Sequence, residues 1–133
     1  MLIYNSFTSF ENHSLVVYFS NPFRYTFHLL YTLAILDRAT NMVISGYNLN
    51  ESLQTSVMIE TLQFQLMNGT AHFLYRKKDG SIREAWGTLL ERVVNNNTNG
   101  YGVPRKYYNC QAYFDIELQA WRSFKYKNFI TIL

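Results

Sequence analysis

Apolar residues recur at intervals of three and four through the first half of the chain, which is the spacing of an amphipathic helix. The first such pattern follows residues 20–22, where a serine and an asparagine suited to a helix cap precede a proline suited to the first turn. Gly46 is a residue suited to ending this helix. The pattern predicts a helix over residues 22–44 that can break at residues 40–41. Its apolar positions are Phe23, Phe27, Leu30, Leu33 and Ala34.

A second helical pattern opens at Asn50 and ends at Asn68-Gly69. As a helix, this segment has an apolar face made of Leu53, Val57, Met58, Leu62 and Leu66. The β-branched and aromatic residues within 57–67 also suit a strand, so a strand there stays an alternative. Residues 15–19, which are Leu-Val-Val-Tyr-Phe, predict a strand ahead of the first helix.

From Thr70 the pattern changes, and apolar residues alternate with polar ones as they do along a half-buried strand. The Asp-Gly pair at residues 79–80 is a strong hairpin signal, and residues 82–89 predict the returning strand. The asparagine-rich segment 94–103 predicts a mobile loop. The other predicted strands cover residues 107–114, 120–126 and 129–133. Four or five short strands with little helix predict a small antiparallel barrel.

The predicted fold class is therefore α+β, with an N-terminal helical portion packed on a C-terminal antiparallel barrel. We divide the chain into two parts. Residues 1–67 are predicted to form a strand plus a helical extension, and residues 68–133 the barrel. A chain of 133 residues can bury a core without a metal or disulfide framework. Its single cysteine, Cys110, favours a reducing compartment. Its longest mostly apolar run, residues 25–36, is too short to span a bilayer, so we expect a cytoplasmic protein outside the membrane.

Basic residues are concentrated in the second half of the chain. The formal net charge is +3, but residues 1–67 hold two arginines and four acidic residues, whereas residues 68–133 hold ten basic and five acidic residues. Such an asymmetry indicates which part of a protein would meet an anion. The second half also interleaves its cations with Tyr, Trp and Phe. This composition suits single-stranded nucleic acid, whose bases stack on aromatic rings.

The predicted hairpin sets its charged residues in a specific register. A two-residue turn at residues 79–80 places Arg76 opposite Arg83 and Phe73 opposite Trp86. One face then carries Phe73, Tyr75, Ile82 and Trp86, and the other carries Arg76, Lys78 and Arg83. Like charges opposite each other are mildly destabilising, so a phosphate held by both arginines is one interpretation of the pair. Charges that only discourage edge pairing and keep the hairpin soluble are the other.

No pattern in the sequence indicates an enzyme, a metal site or a cofactor. His13, His28 and His72 lack the spacing of metal ligands. Cys110 has no partner histidine motif, and the Gly-Tyr-Gly of residues 100–102 lacks the lysine and the helix start of a phosphate loop. We therefore expect no catalytic residue, no metal and no cofactor.

Most aromatic residues of so small a fold must fill its core. We expect this of Phe73, Trp86, Trp121 and Phe124. The tyrosines in and after the asparagine-rich segment are expected at the surface, beside Arg105-Lys106; they are Tyr101, Tyr107 and Tyr108. The helical half is rich in apolar side chains, and apolar surface that the barrel does not cover would favour a protein partner or a homodimer.

Two segments of the second half carry a family resemblance. They are residues 73–88, which include the charged hairpin, and residues 113–125, where Tyr-Phe-Asp is followed by Trp-Arg-Ser-Phe-Lys. From about residue 68 onward the chain resembles the WYL-like domains, in particular the small Sm-like SH3 β-barrel proteins of Bacteroidetes and their phages. It departs from the family pattern at residues 109–111, where the Trp-Tyr-Leu triplet belongs, and at Asn128, where an arginine is usual.

The resemblance implies a compact, non-enzymatic barrel that binds a ligand or a partner. Larger WYL domains are thought to sense nucleotides or nucleic acid and to control transcription factors or immune systems. The resemblance matches Arg122 and Lys125 to cationic positions of the family motif, and Trp121 and Phe124 to apolar ones. It implies a regulator or inhibitor, phage-encoded and acting on a defence system in the cytoplasm of a bacterial host.

The expected partner is a nucleic acid, a nucleotide, or a bacterial protein or ribonucleoprotein target. The alternative is a protein-binding adaptor or homodimeric module without a nucleic-acid ligand. The expected ligand-binding residues are Arg76, Lys77, Lys78, Arg83, Arg105, Lys106, Tyr108, Arg122 and Lys125.

Overall fold

Helix α1 extends over Pro22–Ile44, as the spacing of apolar residues predicts, and it is unbroken at residues 40–41. The hydroxyl of Thr40 stays within the helix, where it donates to the carbonyl oxygen of Leu36 at 2.7 Å. The structure is a computed structural model that describes residues 22–99 and 105–133. The predicted strand at residues 15–19 and the predicted cap at residues 20–21 lie outside the described residues.

The chain divides into two compact units, Met1–Ala34 and Ile35–Leu133. In the first unit the described residues belong to α1, where the hydroxyl of Thr32 donates to the carbonyl oxygen of His28 at 2.9 Å. The end of α1 and every later element belong to the second unit.

Helix α2, Leu49–Asn68, begins after Asn48, whose side-chain oxygen accepts from the backbone N–H groups of the next turn at 2.9 and 3.3 Å. The predicted helix is confirmed, and the alternative strand is wrong. Its buried face was predicted only in part, because Val57 and Met58 are 45% and 37% exposed. Small side chains on the buried face let α1 come close, and Ser56 Oγ lies 4.0 Å from Met42 Sδ. The buried residues are Ser52, Ser56, Ile59, Leu62 and Leu66.

Five antiparallel strands follow, in the sheet order β4-β3-β2-β1-β5. Their bounds are β1 Thr70–Arg76, β2 Ile82–Thr88, β3 Cys110–Asp115, β4 Ala120–Lys125 and β5 Phe129–Ile132. The prediction of β3 from residue 107 was wrong, because Arg105–Tyr108 form a 3-10 helix. The predicted mobile loop also begins too early, since a short helix, α3, spans Glu91–Asn96. Residues 100–104 of that predicted loop lie outside the described residues.

The β1–β2 hairpin is present, but its turn is one residue longer than predicted. The backbone N–H of Lys77 donates to the carbonyl oxygen of Ser81 at 2.8 Å, and that of Gly80 donates to Lys77 at 3.0 Å. Gly80 adopts a φ of +88°, which suits the glycine of a three-residue loop. Arg76 therefore pairs with Ile82 and not with Arg83.

This register reverses the predicted faces of β2, because side chains alternate along a strand. Tyr75 pairs with Arg83, so Arg83 shares the inner face with the core. Trp86 pairs with His72, so its side chain lies on the outer face of the sheet. The predicted inward orientation of Trp86 and the predicted opposition of two arginines are both wrong.

An aromatic cluster fills the barrel. Phe73 and Phe124 are 0% and 5% exposed, as predicted, whereas Trp121 is 37% exposed and its predicted core position is wrong. The rings of Tyr75 and Phe124 stack with centroids 4.5 Å apart. Helix α2 covers the cluster from one side, and its Leu66 carbonyl oxygen accepts from the N–H of Leu89 at 2.7 Å. The main members of the core are Met42, Ile59, Leu62, Leu66, Phe73, Tyr75, Tyr113, Phe124, Tyr126 and Phe129.

One half-buried cation ties the end of α1 to α2 and to the barrel. The guanidinium of Arg38 donates to Glu60 Oε2 at 2.8 Å and to Gln63 Oε1 at 3.0 Å. It also lies 5.5 Å from the ring centroid of Tyr126. Gln63 in turn donates to Gln111 Oε1 on β3 at 2.8 Å. The helical and sheet parts of the second unit are therefore joined by polar contacts as well as by the core.

Among the described residues, no helix combines the length and the apolar character that a membrane crossing requires.

Candidate ligand-binding surface

Two segments with exposed cations meet where strand β1 ends and strand β5 begins. Tyr75, near the end of β1, pairs with Phe129, the first residue of β5. The hairpin tip that follows Tyr75 therefore lies next to the 3-10 helix Tyr126–Asn128, which precedes Phe129. The exposed cations of these two segments are Arg76, Lys77, Lys78 and Lys127.

A third cationic segment joins them through contacts at the end of β4. The ammonium of Lys125 donates to the carbonyl oxygen of Tyr108 at 3.0 Å. The N–H of Tyr126 donates to the carbonyl oxygen of Asn109 at 2.8 Å. These bonds bring the 3-10 helix Arg105–Tyr108 to Lys125. We call the resulting set of exposed cations the basic rim: Arg76, Lys77, Lys78, Arg105, Lys106, Lys125 and Lys127.

The basic rim holds seven of the chain's 12 lysines and arginines. Asp79 at the hairpin tip offsets part of this charge, since it lies 3.9 Å from Lys77 and bonds from Ser81 hold its pKa below the ordinary value. Aromatic surface lies beside the cations: Tyr108 is 52% exposed, and the Lys127 ammonium is 5.9 Å from the ring centroid of Tyr47. Cations with exposed rings between them suit a ligand that is both anionic and aromatic.

Arg83 is not part of this surface, because it binds an acid inside the barrel. Its guanidinium donates to Asp115 Oδ2 at 2.6 Å, and the Asp115 side chain is 0% exposed. Burial opposes the charged form of Arg83 more strongly than any single contact favours it, but the contacts with Asp115 and Tyr113 together outweigh burial and raise the pKa of the arginine. The other oxygen of Asp115 accepts from the N–H groups of Glu117 and Leu118 at 3.1 and 3.0 Å. This carboxylate therefore holds the β3–β4 turn and fastens it to β2.

The rest of the motif after Asp115 also supports the fold. Trp121 packs edge-on against Phe114 with ring centroids 5.8 Å apart. Its indole N–H donates to the carbonyl oxygen of Asn97, after α3, at 2.7 Å. Phe124 belongs to the aromatic core. The residues that carry the resemblance thus close the barrel around Arg83 and Asp115.

A family described as WYL_2, Sm-like SH3 beta-barrel fold, matches residues 59–130. The match begins within α2 and ends in β5, and it covers more than half of the chain. The chain belongs to the WYL_2 family. The expected α+β fold with a small Sm-like SH3 barrel is confirmed. Neither a search of curated proteins nor a search of solved structures found a match.

The WYL_2 barrel brings together most, but not all, of the residues that the sequence suggested as ligand-binding. Six of them belong to the basic rim, and Tyr108 lies beside it. Arg83 is engaged inside the barrel by Asp115. Arg122 pairs with Tyr113 and is separated from Lys125 by three positions, so the two point to opposite faces of β4. The six rim residues are Arg76, Lys77, Lys78, Arg105, Lys106 and Lys125.

One member of the surface, Lys127, and one neighbour, Tyr47, were missed from the sequence. Lys127 follows the predicted strand, and its place became clear only because residues 126–128 form a 3-10 helix next to β5. The alternation of Lys125 and Lys127 around the buried Tyr126 is a signal that would have found it. Tyr47 lies far away in the sequence, between the two helices, so no local pattern links it to Lys127.

Proposed function

We propose that this WYL_2 protein is a non-enzymatic regulator or inhibitor that binds single-stranded nucleic acid or a nucleotide through its basic rim. The observation that carries the proposal is the convergence of three cationic segments at one end of the β1–β5 pair. The regulatory role rests on the family resemblance, as does a bacterial host or phage setting. A defence system of that host is the proposed target.

The arrangement of the rim suits a flexible polyanion better than a compact anion. Its cations lie at the ends of two strands, in the hairpin turn and on 3-10 helices, where long exposed side chains can follow a phosphate backbone. The exposed ring of Tyr108 offers a surface for stacking a base. Binding of this kind releases counterions, so affinity falls as salt concentration rises.

The non-enzymatic part of the proposal is supported by what the polar groups of the barrel do. The carboxylate of Asp115 accepts bonds from Arg83 and from the backbone of its own turn. Arg83 and Asp115 therefore have structural partners, and their chemistry is that of an ion pair holding two strands.

The proposal is tested with fluorescein-labelled single-stranded RNA and DNA, and with cyclic nucleotides, measured by anisotropy over a range of salt concentrations. The variant Lys78→Ala/Lys127→Ala removes two rim cations from different segments. Its matched control is Arg92→Ala/Arg122→Ala, which removes the same charge from exposed positions outside the rim. We expect the rim variant to bind more weakly and its plot of log K against log salt to be shallower by about 1.4, since each single-strand contact contributes about 0.7.

The control variant is expected to keep most of the wild-type affinity and slope. Equal losses in the two variants would show that only net charge matters, which contradicts a rim-specific site. Absence of binding to every probe would also contradict it. A variant at Arg83 is unsuitable for this test, because losing the bond to Asp115 would disturb the barrel itself.

A second candidate function is protein binding, favoured by apolar side chains that flank the α1–α2 turn. Ile44 and Leu49 are 78% and 61% exposed, which makes them candidates for contact with a target or a second copy. Light scattering after size exclusion tests the homodimer directly. A wild-type dimer that becomes monomeric in Ile44→Ser/Leu49→Ser would favour this function over the first.

A further inference from the structure

The outer face of strands β1 and β2 carries an aromatic pair that the fold does not use in its core. His72 and Trp86 are directly opposite each other across the two strands. Their rings are nearly parallel, with an interplanar angle of 12° and centroids 3.8 Å apart. We call this pair the ring stack. Its spacing and parallel geometry are those in which flat aromatic groups attract each other.

A carboxylate on the same face holds the ring stack in place. Glu84 Oε1 lies 2.6 Å from His72 Nε2, and because a carboxylate only accepts hydrogen bonds, the histidine nitrogen is the donor. The side chains of His72 and Glu84 are 31% and 53% exposed, and Trp86 is half-buried. The bond to His72 uses only one lone pair of one carboxylate oxygen, so both oxygens of Glu84 can accept a further hydrogen bond. An exposed acceptor therefore stands beside an accessible aromatic surface.

We propose that the ring stack and Glu84 form a site for one nucleobase of a single-stranded nucleic acid. The base stacks on the exposed aromatic surface, and Glu84 accepts hydrogen bonds from the donor edge of the base. This inference rests on the proposed function for its biological ligand, but the site itself is separate from the basic rim. The chemistry on the outer face is aromatic and acidic, whereas that of the rim is cationic.

The carboxylate determines which bases fit. A carboxylate accepts hydrogen bonds and donates none, so it favours a base with N–H groups on its exposed edge. Guanine presents a ring N–H and an exocyclic amino group side by side, which two carboxylate oxygens can accept together. Uracil presents a carbonyl on each side of its single N–H, and these carbonyl oxygens are repelled by the carboxylate oxygens. The site therefore prefers guanine over uracil.

The position of the site relative to the rim fits a strand of several nucleotides. His72 and Arg76 share the outer face of β1 and are four residues apart. At the rise of a β-strand this separation is about 13 Å. A base on the ring stack thus leaves the following phosphates free to reach Arg76 and the hairpin tip.

Trp86 itself reports whether a base stacks there. The chain has two tryptophans, so Trp121→Phe leaves Trp86 as the only indole fluorophore. In this background we expect guanosine, which carries no phosphate, to quench the fluorescence and to shift the indole N–H resonance of Trp86. Uridine at the same concentration is expected to do so much less. Guanosine is the probe because its binding does not depend on the basic rim.

The second measurement compares labelled hexauridylate with the same strand carrying one guanosine or one inosine, which lacks the exocyclic amino group. Wild type is expected to bind the guanosine strand about 10-fold more tightly than hexauridylate. Glu84→Gln should abolish this preference, although the loss of a negative charge alone would strengthen binding to all strands. Glu117→Gln, which changes another exposed carboxylate, is the matched control and should keep the preference. Trp86→Ala should lose roughly 10-fold in affinity.

The possible failures are distinguishable. The labelled nucleic acids could bind with the expected salt dependence while Trp86 does not respond and guanosine is not preferred. That result would overturn this inference and leave the basic rim intact. A guanosine response at Trp86 in a protein whose strand binding ignores the rim variant would support the base site and contradict the proposed function. Circular dichroism of Trp86→Ala checks its fold, and the Glu84→Gln result stands without that variant.

Discussion

The ion pair between Arg83 and Asp115 makes the most specific prediction about stability. Asp115 is fully buried and accepts three hydrogen bonds: one from the guanidinium at 2.6 Å and two from the backbone of the β3–β4 turn at 3.1 and 3.0 Å. The change Asp115→Ala removes all three and leaves a cation that is only 22% exposed without its partner. Asp115→Asn keeps an oxygen for the turn but replaces the charged oxygen that accepts from Arg83 with an NH2 group, which cannot accept a hydrogen bond.

The magnitudes follow from these contacts. Removing one partner of a buried ion pair costs about 3–5 kcal/mol, and each lost backbone bond adds about 1 kcal/mol. Because Arg83 keeps some access to water, we expect Asp115→Ala to cost about 4 kcal/mol. Asp115→Asn should cost about 2 kcal/mol, the value of a hydrogen bond to a charged group. Arg83→Met, which leaves the buried carboxylate with its two backbone donors, should cost about 3 kcal/mol.

Urea unfolding followed by circular dichroism measures these differences, provided that the slope m is the same for all variants. The double variant Arg83→Met/Asp115→Asn removes both charges, so it should cost about 1.5 kcal/mol less than the sum of the single changes. Glu117→Ala, on the same turn but exposed, is the control and should stay within about 0.5 kcal/mol of wild type. A loss below about 1 kcal/mol in Asp115→Ala, or additivity in the double variant, would refute the reasoning.

Two further predictions concern the core. Gly87→Ala would place its Cβ 2.5 Å from Tyr113 and 3.2 Å from Phe73, so it should destabilise the protein by about 1–3 kcal/mol in urea titrations, while Gly69→Ala, which has open space, should not. Burial raises the pKa of Tyr113 and Tyr126 above the ordinary 10, so both stay protonated in the folded state where the unfolded chain ionises. The free energy of unfolding should therefore fall as pH rises above 10, and in Tyr126→Phe it should fall less steeply with pH. The same slope in that variant as in wild type would contradict this assignment.

The sequence by itself determined the order and type of the long elements. Periods of three and four residues between 22 and 68 identified both long helices, because that spacing places apolar residues on one face of a helix. Alternation from Thr70 and the Asp-Gly pair located the hairpin, and β-branched and aromatic residues located β4 and β5. The match to the WYL_2 family agrees with the two motifs that suggested it.

Segments with two competing signals were harder to place. The tyrosines after Arg105 favour a strand, yet Arg105–Tyr108 form a 3-10 helix whose end is held by Lys125 and Tyr126. Those partners lie elsewhere in the chain, so the local sequence could not include their contribution. The same limitation hid Tyr47 from the candidate surface.

Only the tertiary structure decided which charges are available to a ligand. A single additional residue in the turn at Lys78–Gly80 shifted the register of the hairpin, and because side chains alternate, this turned Arg83 inward and Trp86 outward. Asp115 gives Arg83 a buried partner across the barrel, which no local pattern reveals. The basic rim likewise forms from three segments that are distant in the sequence. The chain's composition made a basic surface predictable, but strand register and barrel closure determined which residues form it.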